Sequence, residues 1–130
     1  MNKVLSRARE IGKAVQTGEM SIDVLHDVNL SIRCGETVAI VGPSGVGKST
    51  LLHILGTLDR PTTGSLQFRG EDVFSKDSKE LAQLRNATVG FVFQFHHLLP
   101  EFNTVENVMM PGLVRGLDFA SMRERATRVL

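Results

Sequence analysis

The feature that most constrains this chain is a glycine-rich octet that matches the pattern G-x-x-x-x-G-K-[ST], followed by a threonine. Its residues, with that threonine, are Gly42, Pro43, Ser44, Gly45, Val46, Gly47, Lys48, Ser49 and Thr50. The apolar, β-branched run Thr37–Val41 before it predicts a strand buried on both faces of a parallel sheet. The apolar spacing over Lys48–Thr57 predicts a helix packed on that sheet. This context favours a phosphate-binding P-loop over a glycine-rich turn that binds nothing.

Each residue type in the octet has a role in binding a nucleoside triphosphate, for which ATP with Mg²⁺ is the first expectation. The glycines let backbone N–H groups crowd around a phosphate, and the helix starting near Gly47 directs its positive end at the same anion. Lys48 reaches the β- and γ-phosphates as a point charge and is predicted to be catalytic. The Ser49 hydroxyl is an oxygen ligand for Mg²⁺. All of Gly42–Thr50 is therefore predicted to bind the nucleotide.

Composition limits the class of protein. The 130 residues are 42% hydrophobic and 22% charged, which is typical of one soluble globular domain. A formal net charge of +1 gives no indication of a nucleic-acid partner. No apolar stretch is long enough for a direct membrane span, so a membrane role would be indirect. The single cysteine, Cys34, is predicted to be a buried structural thiol in a reducing compartment.

The remaining patterns predict an α/β fold. The predicted strands are Val28–Ile32, with one wet face, Ser65–Phe68 and Thr88–Phe93. The predicted helices are Ser78–Asn86, with Asp77 and Glu80 as a capping box, a short helix between Pro100 and Pro111 capped by Thr104, and an amphipathic helix over 118–130. The segment through Gly18 has no clear pattern. The chain stops inside its last helical pattern, so it is expected to be truncated.

The residues around the octet resemble the ATP-binding-cassette (ABC) ATPases. Gly64–Gly70, after the predicted P-loop helix, is similar to their flanking antiparallel sheet, and Gly90–Gln94 is similar to their Q-loop. Phe93–Pro100 and the segment through Pro111 resemble the lipoprotein-releasing (LolD) branch and the related macrolide-export group. The resemblance runs from about Asp23 onward.

This resemblance implies a P-loop NTPase core with a flanking antiparallel β subdomain. Residues 1–130 would be the N-terminal part of one nucleotide-binding domain, and about 95–130 the start of its helical subdomain. Gln94 would be catalytic and would offer its amide oxygen to Mg²⁺ or to the attacking water. Val15 stands where the family usually has an aromatic ring that stacks on adenine, so it is expected to contact the base without a π-stack.

The resemblance also implies an activity and partners. The protein would be the ATP-binding subunit of a transporter, coupling ATP binding and hydrolysis to lipoprotein release or a related export. It would act as a homodimer with integral-membrane subunits, on the cytoplasmic face of the inner membrane. Phe95–Phe102 would face those subunits. Beyond the Q-loop the family has its signature motif, Walker B aspartate, catalytic glutamate and switch histidine, and the 130 residues end before any of them. The 130-residue chain alone is therefore expected not to hydrolyse ATP.

Other functions remain open or are disfavoured. A non-catalytic nucleotide-binding or interaction module, truncated naturally, would share every residue described so far. A soluble P-loop kinase or GTPase would need an acceptor or base-specificity motif, which the sequence lacks. A metal site at His96-His97 is disfavoured because adjacent residues on an irregular segment seldom point at one ion.

Overall fold

A long antiparallel ribbon leads the chain in the computed structural model, which describes residues 3–130. Its strands are β1 (Val4–Thr17) and β2 (Met20–Arg33), joined at Gly18, whose φ is +63°. The predicted strand Val28–Ile32 is confirmed within β2, where apolar side chains are half-buried and the intervening polar ones exposed. The hydrophobic periodicity of the sequence does not predict β1, because the register of β1 with β2 shifts between Ala8 and Ile11 and this shift breaks the alternation of faces.

Two further strands complete a four-stranded antiparallel sheet in the order β2-β1-β3-β4. The strand β3 (Thr63–Phe68) confirms the predicted Ser65–Phe68, and β4 (Glu71–Asp72) pairs with its end. β3 runs along β1 from Ser6 opposite Phe68 to Gly12 opposite Thr63. A short 3₁₀ helix, Val73–Ser75, follows.

The first of two compact units contains this sheet and ends at Leu81. The helix α1 (Lys48–Leu55) buries one face, and α2 (Ser78–Thr88) starts near the end of the unit. The buried apolar side chains of this unit are Ala8, Ile11, Leu25, Leu51, Ile54, Leu66, Val73 and Leu81. Sheet and helix therefore share a core, as the hydrophobic spacing of the P-loop helix predicts.

Two predicted strands are wrong. Thr37–Val41 and Val89–Phe93 have no strand structure, and Thr88 ends α2 instead of starting a strand. Strand structure needs a hydrogen-bonded neighbour as well as β-branched residues, and no residue within 3–130 pairs with either segment. Val41 and Val92 are accordingly 87% and 103% exposed.

Cys34 is exposed, so the predicted buried thiol is wrong. The residue lies in the turn after β2, which is closed by a 3.2 Å hydrogen bond from Glu36 N–H to the Arg33 carbonyl. Its own N–H donates to the Lys3 carbonyl at 3.0 Å. A turn at the rim of a sheet leaves a side chain in solvent whatever its hydrophobicity.

The second compact unit, Ala82–Leu130, contains a helical hairpin. Its helices are α3 (Thr104–Val114) and α4 (Phe119–Val129), which pack through Met109, Met122 and Ala126. α4 confirms the amphipathic helix predicted over 118–130. Asp118 caps it: hydrogen bonds from the Ser121 hydroxyl and backbone N–H lower the pKa of the Asp118 carboxyl.

Of the predicted caps of α2 and α3, the first is confirmed and the second is wrong. The capping box of α2 is confirmed, because the Glu80 N–H donates to Asp77 Oδ1 at 2.8 Å and the Asp77 N–H to Glu80 Oε2 at 2.9 Å. At α3 the cap is Asn103, not Thr104. Asn103 has Glu106 three residues on and forms the reciprocal pair with it, which Thr104 cannot do.

α3 also continues through Pro111, so the predicted stop at Pro111-Gly112 is wrong. Proline removes one helical donor, yet its carbonyl keeps its hydrogen bonds, one of them to a side chain outside the helix. The Asn86 side-chain amide donates to the Pro111 carbonyl at 2.9 Å, and the Arg115 N–H donates to it at 3.3 Å. Burial of Met109 in the hairpin core keeps the helix in place.

None of the helices within residues 3–130 combines the length and the apolar character needed to cross a membrane. The assignment of 95–130 to a helical subdomain stays a prediction.

Candidate functional site: the phosphate-binding loop

The loop before α1 has a backbone that only glycine adopts easily. Gly45 has φ +80° and Gly47 has φ +98°, both in the left-handed region. Gly47 is the N-cap of α1, so the helix starts next to Gly47 as predicted from the octet. A side chain at either position would strain the turn that bends the chain into the helix.

Several donors of this loop have no protein partner. No side chain caps α1 at Gly47. Throughout the described chain, the backbone N–H groups of Gly45, Gly47 and Lys48 have no hydrogen-bond acceptor. The Ser49 side chain is exposed, and its hydroxyl is unbonded to any described residue. Free N–H groups at a helix start are the donors that a phosphate requires.

Lys48 bridges the first residues of the loop. Its ammonium donates to the Gly42 carbonyl at 2.8 Å and to the Pro43 carbonyl at 2.7 Å. An ammonium has three donor hydrogens, so it can keep part of this bonding while it contacts an anion. The positive charge therefore lies on the same glycine-rich loop as the free N–H groups.

The loop packs against β2, on the segment opposite Lys13 and Ala14. A Cβ at Gly47 would lie 2.9 Å from Leu25 Cδ2 and 3.0 Å from the Val24 carbonyl oxygen. In the ribbon, Leu25 lies opposite Lys13. The structure thus brings the phosphate loop beside the stretch of β1 that leads into Val15.

Val15 lies on the ribbon opposite Ile22. The two side chains are 42% and 51% exposed, and cross-strand partners share one face of a sheet. Together they form an exposed aliphatic pair at the position where the family resemblance places a base contact. Ile22 was not predicted; a hairpin register counted back from the turn at Gly18 would have identified it.

Gln94, the other predicted catalytic residue, belongs to the second unit. It lies exposed in an irregular segment, 89–103, and the structure does not test its predicted contact with Mg²⁺ or water. Nearby, the Phe91 and Phe93 rings stack with centroids 5.3 Å apart, and His97 packs edge-on against Phe93 at 4.7 Å. Across residues 3–130, no group of three or more His, Cys, Asp or Glu side chains could hold a metal ion.

Asn107 fixes the end of that segment. Its amide nitrogen donates to the carbonyls of Leu99, Phe102 and Asn103 at 3.1, 2.9 and 3.1 Å. Its amide oxygen accepts from the Leu99 N–H at 2.8 Å. Just before this anchored loop, Phe95 and Leu98 are 70% and 61% exposed. The result is an exposed surface, Phe95–Leu99, with apolar side chains at Phe95, Leu98 and Leu99, held at one end by the four hydrogen-bond contacts of Asn107.

Comparisons with known proteins agree with this geometry. Residues 25–130 match the family described as ABC transporter. The lipoprotein-releasing system ATP-binding protein LolD of Geobacter metallireducens is 58% identical over 113 residues, covering 87% of this chain and 50% of that protein. The protein of the same name from Shewanella sp. strain MR-4 is 46% identical over 130 residues, covering all of this chain and 56% of the relative.

A solved structure gives the same result for the fold. The dimeric post-hydrolysis state of the ATP-binding cassette MJ0796, bound to ADP and Pi, is 37% identical to this chain with a TM-score of 0.88, covering 95% of this chain and 55% of its own. The chain spans about half the length of the relatives it matches. The α/β P-loop fold with its flanking antiparallel sheet is confirmed. On the sequence match, the relatives and the fold together, the chain belongs to the ABC transporter family.

Proposed function

We propose that this chain forms the ATP-binding part of a transporter subunit of the lipoprotein-releasing type, and that Gly42–Thr50 binds the phosphates of ATP with Mg²⁺. The observation that carries the proposal is the loop itself. Free backbone N–H groups, a helix start without a side-chain cap and the Lys48 ammonium all lie within one glycine-rich turn. The names of the relatives supply the transport system.

The residues present fit both the triphosphate and Mg²⁺. A triphosphate needs free N–H donors and a cation, which Gly45, Gly47 and Lys48 provide. Mg²⁺ prefers oxygen ligands, and the exposed Ser49 hydroxyl is one. When bound, Mg²⁺ neutralises charge on the phosphate oxygens. Gln94 is proposed as a second oxygen ligand and as the residue that orients the attacking water, on the Q-loop resemblance.

Replacing Ser49 with alanine tests the metal role. We expect the Kd for ATP in the presence of Mg²⁺ to rise by about tenfold, since one oxygen ligand is lost, while the Kd in EDTA changes by less than about twofold. Titration calorimetry of the protein with and without Mg²⁺ measures both values. Ser121→Ala, a change at a helix cap distant in sequence, is the matched control. An equal loss in both conditions would refute a metal role for Ser49.

The wider function is proposed from the relatives. Lipoprotein release or a related export would be driven by ATP binding and hydrolysis in a homodimer associated with integral-membrane subunits. The MJ0796 cassette is described as a dimer, which supports the oligomeric state. The subunit would lie on the cytoplasmic face of the inner membrane through those partners, and residues 95–130 would begin its helical subdomain.

The surface Phe95–Leu99 is proposed to meet the membrane subunits. Exposed apolar side chains on a segment anchored by Asn107 suit the docking of a short partner helix. Leu98→Asp is expected to abolish co-purification with the membrane subunits while the Kd for ATP stays within about twofold, because a buried unpaired carboxylate opposes docking. Val114→Asp, at a site 72% exposed, is the matched control. Retained co-purification of Leu98→Asp would exclude this surface.

A further inference from the structure

We infer that the loop of residues 59–62, here called the strap, positions the nucleotide base by holding the Val15 end of β1 in a fixed place relative to the phosphate loop. The strap begins four residues after the end of the P-loop helix and contacts β1 through both side chains and backbone. The inference rests on the proposed function and adds two positioning residues to it, Lys13 and Thr62.

Lys13 makes the first connection. Its ammonium contacts both carboxylate oxygens of Asp59 at 2.7 Å and donates to the Arg60 carbonyl, also at 2.7 Å. The Lys13 side chain is 16% exposed and that of Asp59 is 43% exposed, so solvent reaches the ion pair mainly from the carboxylate side. Lys13 is thereby held by three strap oxygens two residues before Val15.

Thr62 makes the second connection. The Ala14 N–H donates to Thr62 Oγ1 at 2.9 Å, and the Thr62 N–H donates to the Gly12 carbonyl at 2.8 Å. The pairing of β1 with β3 ends at Gly12. Beyond that point the strap occupies the edge of β1 where a strand would otherwise lie, and it satisfies the backbone donor next to Val15.

The other side of the strap is anchored to α1. The N–H groups of Leu58 and Asp59 donate to the His53 carbonyl, at 2.8 and 3.3 Å. The Arg60 guanidinium donates to the carbonyls of Phe74 and Lys76, at 2.8 and 2.9 Å. It also lies 5.6 Å from the centre of the Phe74 ring. The strap is therefore tied to the helix whose first turn begins the phosphate site, and to the 3₁₀ segment beyond it.

These contacts fix the position of the base contact at Val15 relative to the phosphate site at the start of α1. The start of α1 meets the phosphates, and the end of α1 leads into the strap that holds the residues before Val15. An aliphatic pair such as Val15 and Ile22 gives no directional hydrogen bond, so its contribution depends on where the backbone holds it. The base contact is thus set by Lys13 and Thr62, although neither need touch the nucleotide.

Comparing ATP with inorganic tripolyphosphate tests the inference, since the second ligand has the phosphates and no base. In Lys13→Met and Thr62→Val, we expect the Kd for Mg·ATP to rise by about fivefold to tenfold, the effect of losing one hydrogen bond that positions the contact. The Kd for Mg·tripolyphosphate should change by less than about twofold. Calorimetric titration of the protein measures both.

Two controls separate positioning from folding. Lys79→Met removes an exposed lysine from α2 and should alter neither Kd. Thr62→Ser keeps the hydroxyl oxygen and should restore the wild-type Kd for ATP. Equal losses for both ligands in Lys13→Met and Thr62→Val, or no loss for either, would overturn the role of the strap. Wild-type protein that binds neither ligand would instead refute the proposed function, and with it this inference.

Discussion

Replacing Lys48 with alanine is expected to raise the Kd for Mg·ATP by about two orders of magnitude, equivalent to about 2.7 kcal/mol. Among residues 3–130, the Lys48 ammonium is the only side-chain cation bonded to the phosphate loop, and a charged hydrogen bond contributes about 1.5–3 kcal/mol. The same loss is expected for tripolyphosphate, because Lys48 acts on phosphates. Titration with a fluorescent ATP analogue, checked by calorimetry, measures both.

The matched control for Lys48 is Lys79→Ala, which removes an exposed lysine of α2 and should leave both Kd values unchanged. Because Lys48 also bonds the loop carbonyls, the melting temperature of each variant should be recorded. A Lys48→Ala protein that keeps both its melting temperature and its affinity for ATP would refute the phosphate-binding role of the loop.

Replacing Gly64 with alanine is expected to lower the free energy of unfolding by about 3 kcal/mol or more. Gly64 has φ +86°, which costs an L-residue about 1–2 kcal/mol. A Cβ there would also overlap the backbone carbonyl oxygens of Arg9 and Glu10 on β1. Backbone atoms in a central strand cannot move aside as a flexible side chain does, so β1 and β3 must separate locally.

Gly70→Ala is the control that isolates the steric part. Gly70 has φ +90°, nearly the same backbone strain, but a Cβ there would meet no atom within 4 Å. We expect it to cost about 1 kcal/mol. Urea unfolding followed by circular dichroism measures both variants. If the two proteins lost the same stability, the close approach of Gly64 to β1 would be without energetic consequence.

The phosphate loop could be predicted from the sequence because its chemistry is local. Glycines, Lys48 and Ser49 act within one short segment, and the structure gives that segment the expected helix start at Gly47. The amphipathic helix after Asp118 and the capping box of α2 were also predictable, since their signals repeat within a few residues. Ile22 and the strap were not, because their contacts join residues far apart in the chain.

The wrong predictions have a common physical origin. The predicted strands Thr37–Val41 and Thr88–Phe93 have the residue types of strands, but a strand also requires a neighbour, which no local pattern identifies. Cys34 was judged by its residue type, whereas the turn after β2 decides its exposure. At Pro111 a local rule for ending helices was overridden by hairpin packing and by the Asn86 amide. The cap at Thr104 is a different case, because the spacing of Asn103 and Glu106 is itself a capping-box pattern and predicts the observed cap from the sequence alone.

The contacts of Lys48 with Gly42 and Pro43 also bear on how a nucleotide would enter. Two carbonyl oxygens already bind the Lys48 ammonium to the loop. The Lys48 side chain is therefore ordered before a ligand binds, and the entropy cost of ordering it does not fall on binding. Entry of an anion then amounts to a substitution, in which phosphate oxygens replace neutral acceptors around the same cation. Charged acceptors hold an ammonium more strongly than neutral ones do, so the substitution favours the nucleotide without prior reorganisation of the backbone.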